Sequence, residues 1–291
     1  MTQPPPSLGD AREQFLALVA DVRPELHRYC ARLTGSVIEG EDVVQDALAK
    51  AFYALSLATE VPPLRPWLFK IAHNAALDYL KSHGHKLTDL RAELDDVIFD
   101  ANDADDARDP GAVRAALGRF LSLPLAQRSA VILKDVLGHS LEETAETMNM
   151  TVLAVKAALV RGRRNLAQAE KTEMTVEAPA RAALDRYASL FNARDWDGLR
   201  ALIGADCRLD LVSKSQRRGK QVGMYFARYE KEQVTMRVGR LGDRLALGVF
   251  AADAATPAYF ILLEVEDGRV ALIRDFRYVP YIAAEAVFEP A

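Results

Sequence analysis

Lys156, Arg161, Arg163 and Arg164 bring four cations within nine residues, enough to hold a run of phosphates if one helix presents them together. At about 100° per residue, Val152, Val155, Ala158, Leu159, Gly162 and Leu166 share one face of that helix. The opposite face carries Leu153, Lys156, Ala157, Val160 and Arg164, flanked by Arg161 and Arg163. Thr151 is placed to cap the helix through its hydroxyl, and Asn149 and Met150 turn the chain into it. Upstream, Ser140 and Glu143 have capping-box spacing, and Leu141, Thr144, Ala145 and Met148 give a first short helix its apolar side. Residues 140–166 therefore predict a helix-turn-helix whose second helix suits the DNA major groove. Leu153, Ala157 and Val160 can touch thymine methyls but make no bidentate base bonds. Phosphate gripping is expected of Arg161, Arg163 and Arg164, with sequence choice left to Lys156 and DNA shape.

Whole-chain properties place this basic helix in context. The chain has 291 residues, half of them apolar, and a formal net charge of −4, which predicts two or three packed domains. An acidic total is unusual for a protein that grips DNA alone and fits one delivered by a larger partner. Cys30 and Cys207 stand far apart without a CxxC or Cys/His cluster, which argues against a disulfide framework or structural zinc, and no cofactor is expected. The proline-rich start is not a signal sequence and no apolar run reaches spanning length, so a cytoplasmic, non-membrane protein is expected.

Three helical signals precede the helix-turn-helix. Residues 11–33 are helical in pattern, with Pro24 expected to begin a new segment. Ser36 and Glu39 make a second capping-box match, opening a helix to about Leu55 that buries Val44, Ala47, Leu48, Ala51 and Leu55. Glu41, Asp42, Gln45 and Asp46 are expected on its exposed side. Pro66 suits the first turn of a helix reaching Leu80. Residues 86–110 are rich in aspartate and read as a flexible acidic linker; helices resume over 111–121 and 125–137. Beyond about 178 the period changes. Two helices, 180–191 and 196–203, lead to strands near 207–213, 234–241, 244–251, 258–265 and 270–279, with a helix over 220–229. Leu241-Gly242-Asp243 and Asp267-Gly268 are hairpin-turn signals, so this part is an α+β domain with a curved antiparallel sheet.

Together, GEDVVQDAL at 40–48, RPWLFKIAHNAALDYLK at 65–81 and the helix-turn-helix resemble a bacterial RNA polymerase sigma factor of the extracytoplasmic-function (ECF) group. That resemblance implies region 2 over 10–86, the linker over 87–111 and region 4 over 112–172. It implies core polymerase and promoter DNA as partners. Glu41, Asp42, Gln45 and Asp46 would meet the polymerase clamp, where charge complementarity orients docking. His73, Asn74, Leu77 and Lys81 share a face and would hold unstacked bases of the −10 element. Asp78 would orient a cation; Trp67 is more at home in the core. Thr151, Leu153, Lys156, Ala157, Val160, Arg161, Arg163 and Arg164 would face the −35 element. When polymerase is absent, linker carboxylates such as Asp95 and Asp96 are expected to pair with the recognition-helix arginines.

Residues 173–291 resemble the SnoaL-like fold of the nuclear-transport-factor-2-like superfamily, on 191–210, 217–229 and the terminal strands. This implies a regulatory tail with a cone-shaped cavity, contacts from the tail to the sigma domains, and room for a small-molecule ligand. Tyr187, Phe191, Trp196, Asp210, Phe226 and Asp275 are the cavity candidates, with core the preferred reading for the aromatic four. Asp210, Tyr225, Asp275 and Tyr278 are the only acid–base candidates, and without a histidine in the tail they predict no enzyme. Two alternatives stand beside this reading: a one-component ligand-sensing helix-turn-helix regulator, and a sigma factor whose tail turns over a metabolite.

Overall fold

A computed structural model of the chain describes residues 8–60, 62–83, 112, 117–168, 178–219, 222–242 and 244–290. The linker reading, residues 87–111 with Asp95 and Asp96, lies outside them. The chain divides into two compact units, Met1–Thr172 and Glu173–Ala291.

In the first unit, helices α1 (Leu8–Thr34), α2 (Val37–Leu57) and α3 (Leu64–Ser82) pack together. Pro24 lies inside α1 rather than at a break. A proline costs a helix interior one hydrogen bond, about 3 kcal/mol. Val22, Leu26, Tyr29, Cys30 and Leu33, all buried on one stripe that runs through that position, outweigh the loss. Ser36 caps α2 by accepting from the backbone N–H groups of Ile38 and Glu39. Where α1 and α2 cross, Gly40 has no side chain to spare: an added Cβ would lie 2.6 Å from the Ala31 backbone nitrogen and Cα. Gly40→Ala is therefore expected to destabilise this unit by about 1–3 kcal/mol, because backbone cannot step aside as a side chain can. Faster amide exchange across α1 and α2 would register the effect; unchanged protection would count against a closed crossing.

Helices α4 (Leu117–Phe120) and α5 (Leu125–Val131) follow, and α5 runs into a π-turn, Ile132–Val136, where the straight helix to 137 was expected. Then come α6 (Leu141–Met148) and α7 (Val152–Gln168). One continuous apolar core runs from Phe15 through Leu80 and on from Phe120 to Leu166. Polar groups tie the same seam. Buried Arg128 on α5 donates to the Leu33 carbonyl at the end of α1 (2.7 Å) and to the carbonyls of Leu121 and Leu123. These satisfy carbonyls that a helix end and a turn would otherwise leave orphaned. His139 sits edge-on against Phe69 of α3, ring centroids 4.6 Å apart.

The second unit lays α8 (Ala178–Asn192) and α9 (Trp196–Leu202) on a seven-stranded sheet. Its strands are β1 (Ile203–Leu211), β2 (Ser215–Arg218), β3 (Val234–Leu241), β4 (Arg244–Ala251), β5 (Tyr259–Glu266), β6 (Arg269–Asp275) and β7 (Phe288–Pro290), in the order β2-β1-β6-β5-β4-β3-β7. The sheet is mixed, not antiparallel throughout, because β1 and β6 run parallel. Register shifts in β1 and β5 mark bulges, which bend a sheet. Asp267 and Gly268, both at positive φ, make the tight turn their dipeptide predicts. The helix expected over 220–229 is a 3₁₀ helix, Gly223–Lys231. The Asn192 side chain pairs with both the N–H and the carbonyl of Met236, pinning α8 to β3. Leu184, Tyr187, Phe191, Phe226 and Tyr229 fill the space beneath.

Candidate nucleic-acid interface

The helix-turn-helix is built as its spacing predicts. The Ser140 hydroxyl accepts from Glu143 N–H (3.0 Å), and the Glu143 carboxylate accepts from Ser140 N–H (2.7 Å). Those bonds to the ionised carboxylate hold Glu143 below its ordinary pKa, the Ser140 backbone contributing most. Asn149 ends α6 in the left-handed region (φ 54°) and Thr151 accepts from Ala154 N–H (3.2 Å) to start α7. Val155, Ala158, Leu159, Gly162 and Leu166 are buried, which turns the other side outward. There Thr151, Leu153 and Arg164 are exposed, Leu153 to 57%, and Lys156, Ala157, Val160 and Arg161 are half-buried. The Arg161 Nε donates to the Ala157 carbonyl (3.3 Å).

Arg163, expected to grip phosphate, is paired with a buried carboxylate instead. Its guanidinium makes two bonds to Asp135, Nε to Oδ2 (3.0 Å) and one terminal nitrogen to Oδ1 (2.7 Å). Asp135 is fully buried and sits in the π-turn, whose extra residue swings it toward α7.

Two more expectations are corrected by burial. Glu41 of α2 is fully buried, not exposed, and pairs with Arg23 of α1. Gln45, half-buried, donates to it (3.4 Å), while Asp42 is half-buried and Asp46 exposed beside Lys50 (2.8 Å). His73 of α3 is also buried; its Nδ1 shares a hydrogen bond with the Tyr29 hydroxyl at 2.6 Å. Burial pushes His73 down to about 4, so it stays neutral at pH 7. A wheel drawn at about 100° per residue holds the signal for both: Glu41 falls beside Val37, Val44 and Leu55, and His73 beside Phe69, Ala76 and Leu80. Asn74 and Lys81 remain exposed, and Leu77 and Trp67 pack partly against the core. Asp78 is exposed, 3.9 Å from Lys50.

The Sigma-70 region 2 family model matches residues 18–86 and the Sigma-70 region 4 model matches 112–166. The ECF RNA polymerase sigma factor SigG of Mycobacterium tuberculosis is 29% identical over 225 residues, which is 68% of this chain and 61% of that protein. SigM of the same organism, also an ECF RNA polymerase sigma factor, is 34% identical over 145 residues, covering 50% of this chain and 70% of that one. The chain belongs to the ECF sigma factors. A crystal structure of the Mycobacterium tuberculosis ECF sigma factor SigJ aligns over 91% of this chain and 98% of its own, at 20% identity and a TM-score of 0.36.

The second unit of this sigma factor gathers polar side chains that sequence spacing did not connect. Asp275 is fully buried at the end of β6 and accepts from the hydroxyls of Tyr225 (2.7 Å) and Tyr229 (3.2 Å) and from Arg277 N–H (2.8 Å). Burial raises its pKa, and those bonds hold the rise in check. The Tyr259 hydroxyl donates to that of Tyr229 (3.2 Å) and accepts from Arg277, which also grips Glu232 through two nitrogens. Burial raises all three phenols, Tyr259 to about 12. Of the expected cavity residues, Tyr187, Phe191 and Phe226 are buried and Trp196 is half-buried in the same aromatic core. Asp210 is elsewhere, on the outer side of β1, paired with Arg274 (3.4 Å). Tyr278 is half-buried, bonded to Arg228 (2.9 Å) and apart from Asp275's bonds. Among the described residues no three His, Cys, Asp or Glu side chains group as a metal site, and no helix is long and apolar enough to cross a membrane.

Proposed function

We propose that this protein binds core RNA polymerase and directs initiation at promoters, region 4 reading the −35 element and region 2 the −10 element. The ordered matches to regions 2 and 4, with a capped helix-turn-helix in the second, carry the reading. Asp42, Gln45 and Asp46 form the face of α2 offered to the polymerase clamp, with Glu41 holding that helix from inside. Asn74, Leu77 and Lys81 meet −10 bases. Leu153, Lys156, Ala157, Val160, Arg161 and Arg164 meet −35 DNA, with Thr151 at the helix start. The complex works in the cytoplasm, and the second unit tunes it in cis.

We read that second unit as regulatory, not catalytic. Each carboxylate oxygen of Asp275 already accepts hydrogen bonds, and the unit has no histidine to move a proton. A ligand with one hydrogen-bonding group is favoured by a single observation: among the described residues the buried Tyr187 hydroxyl has no hydrogen-bond partner. Transcription in vitro with purified core polymerase tests the reading. Asp42→Lys with Asp46→Lys is expected to cut core affinity at least tenfold, with only a small loss of stability from the exposed Asp46–Lys50 pair. A chain ending at Lys171 should give a different yield from the full chain. No transcript from the full chain with any promoter library would sink the proposal.

A further inference from the structure

One of the two edge strands of the sheet is β2, and its hairpin with β1 carries more cations than carboxylates. From Lys214 to Tyr229 the chain carries Lys214, Arg217, Arg218, Lys220 and Arg228 without one carboxylate. Pairing places Arg208 directly across from Arg218, both exposed. Like charges directly opposite across two strands destabilise the pair. One charge is enough to blunt an edge strand against unwanted pairing, so edge protection does not explain two facing arginines. Among the described residues neither side chain has an ion pair or hydrogen bond. Asp210, two residues along β1, is already neutralised by Arg274, and Asp206 is the remaining carboxylate on the strand. Lys214 is held at the hairpin tip with its ammonium 4.0 Å from the centre of the Tyr278 ring.

We infer that this hairpin is a second DNA-contacting surface, binding the phosphate backbone of duplex DNA without reading sequence. The guanidinium fork matches phosphate oxygens two at a time, and the charge repulsion between Arg208 and Arg218 is relieved when a phosphate lies between them. The exposed side chains around them are Ala205, Asp206, Ser213, Lys214, Ser215 and Gln216, of which Ala205 alone is apolar. A protein partner would need an apolar centre, which this face lacks, whereas a sugar-phosphate backbone needs only donors and charge. The β2 edge also leaves backbone N–H groups unpaired by any outer strand, and such groups are ordinary phosphate ligands.

The test uses the full chain without polymerase, so that it stands or falls apart from the transcription reading. Binding to a duplex of unrelated sequence is titrated at several low salt concentrations. For Arg208→Gln with Arg218→Gln, the slope of log affinity against log salt is expected to become shallower by about 2, one unit for each lost phosphate contact. Arg208→Lys with Arg218→Lys should keep the parental slope, which separates lost charge from lost folding. Thermal unfolding of the Gln pair should be unchanged or raised, since the repulsion is gone. An unchanged slope in the Gln pair overturns the inference. So does a Gln pair with normal DNA binding but weakened core polymerase binding, which would assign the hairpin to an acidic protein surface.

Discussion

Arg163→Ala is expected to loosen the recognition helix itself, not to trim DNA affinity evenly. The substitution removes both nitrogens bonded to Asp135, a carboxylate with no exposure to water. Breaking one partner out of a buried pair costs about 3–5 kcal/mol, because the remaining charge keeps its desolvation penalty. Amide exchange in α5 and α7 should then accelerate by two orders of magnitude or more, with −35 binding lost as a consequence. A surface arginine gripping phosphate would behave differently: binding would weaken, the salt slope would fall by about 1, and exchange would stay put. Arg163→Met combined with Asp135→Leu gives a second check. Replacing both charges with apolar groups of similar reach should recover most of the lost protection. Normal exchange in Arg163→Ala would return this residue to the DNA-facing set.

Acid should selectively weaken the first unit, and His73 is the main cause. Its folded pKa is pushed down by burial to about 4, against about 6.5 in an unfolded chain. Between those values the unfolded state binds the proton and the folded state does not, so stability falls as pH drops from about 6.5 toward 4. The full difference is about 3 kcal/mol. Geometry gives the reason. Tyr29, itself raised by burial, remains a neutral hydroxyl beside His73 Nδ1 and supplies no charge to balance a protonated ring. His139 adds to the same trend, lowered by burial, with Arg65 in the same sense and Glu143 and Glu25 in the other. In His73→Gln the acid-side loss should shrink by more than half, read from exchange in α3 between pH 4.5 and 7. NMR titration should find a ring that resists protonation above about pH 5 in the parent; an ordinary midpoint near 6.5 would remove the basis of this prediction.

What was legible in the sequence was local. Ser140 with Glu143, Ser36, Asn149, and the Asp267-Gly268 turn each act within a few residues, and each is where its spacing predicts. The apolar stripe of α7 was legible for the same reason: its period is written in one helix. Glu41, His73 and Arg163 turn inward although charge and polarity alone predict exposure. Their partners lie 18, 44 and 28 residues away, at Arg23, Tyr29 and Asp135. Only packing brings such pairs together, and no window of sequence contains both members. The Asp275 cluster is the same case at 50 residues from Tyr225, and the parallel pairing of β1 with β6 is another. The π-turn at Ile132–Val136 has no periodic signature, yet it decides where Asp135 points.

The single core shared by the three N-terminal helices and the helix-turn-helix carries a thermodynamic cost for any task that needs them apart. Helix α3 packs beside α6, the first helix of the helix-turn-helix, within one apolar core. Two sites even one turn apart on a duplex are separated by about 34 Å. Reaching both requires this core to split at Arg128 and Phe69, wetting apolar surface that now sees none. A partner that binds only the parted form therefore has its affinity scaled down by the fraction of molecules already parted. The tightness of that seam is in this sense a set-point: it determines how much of any such partner must be present before the parted form is populated.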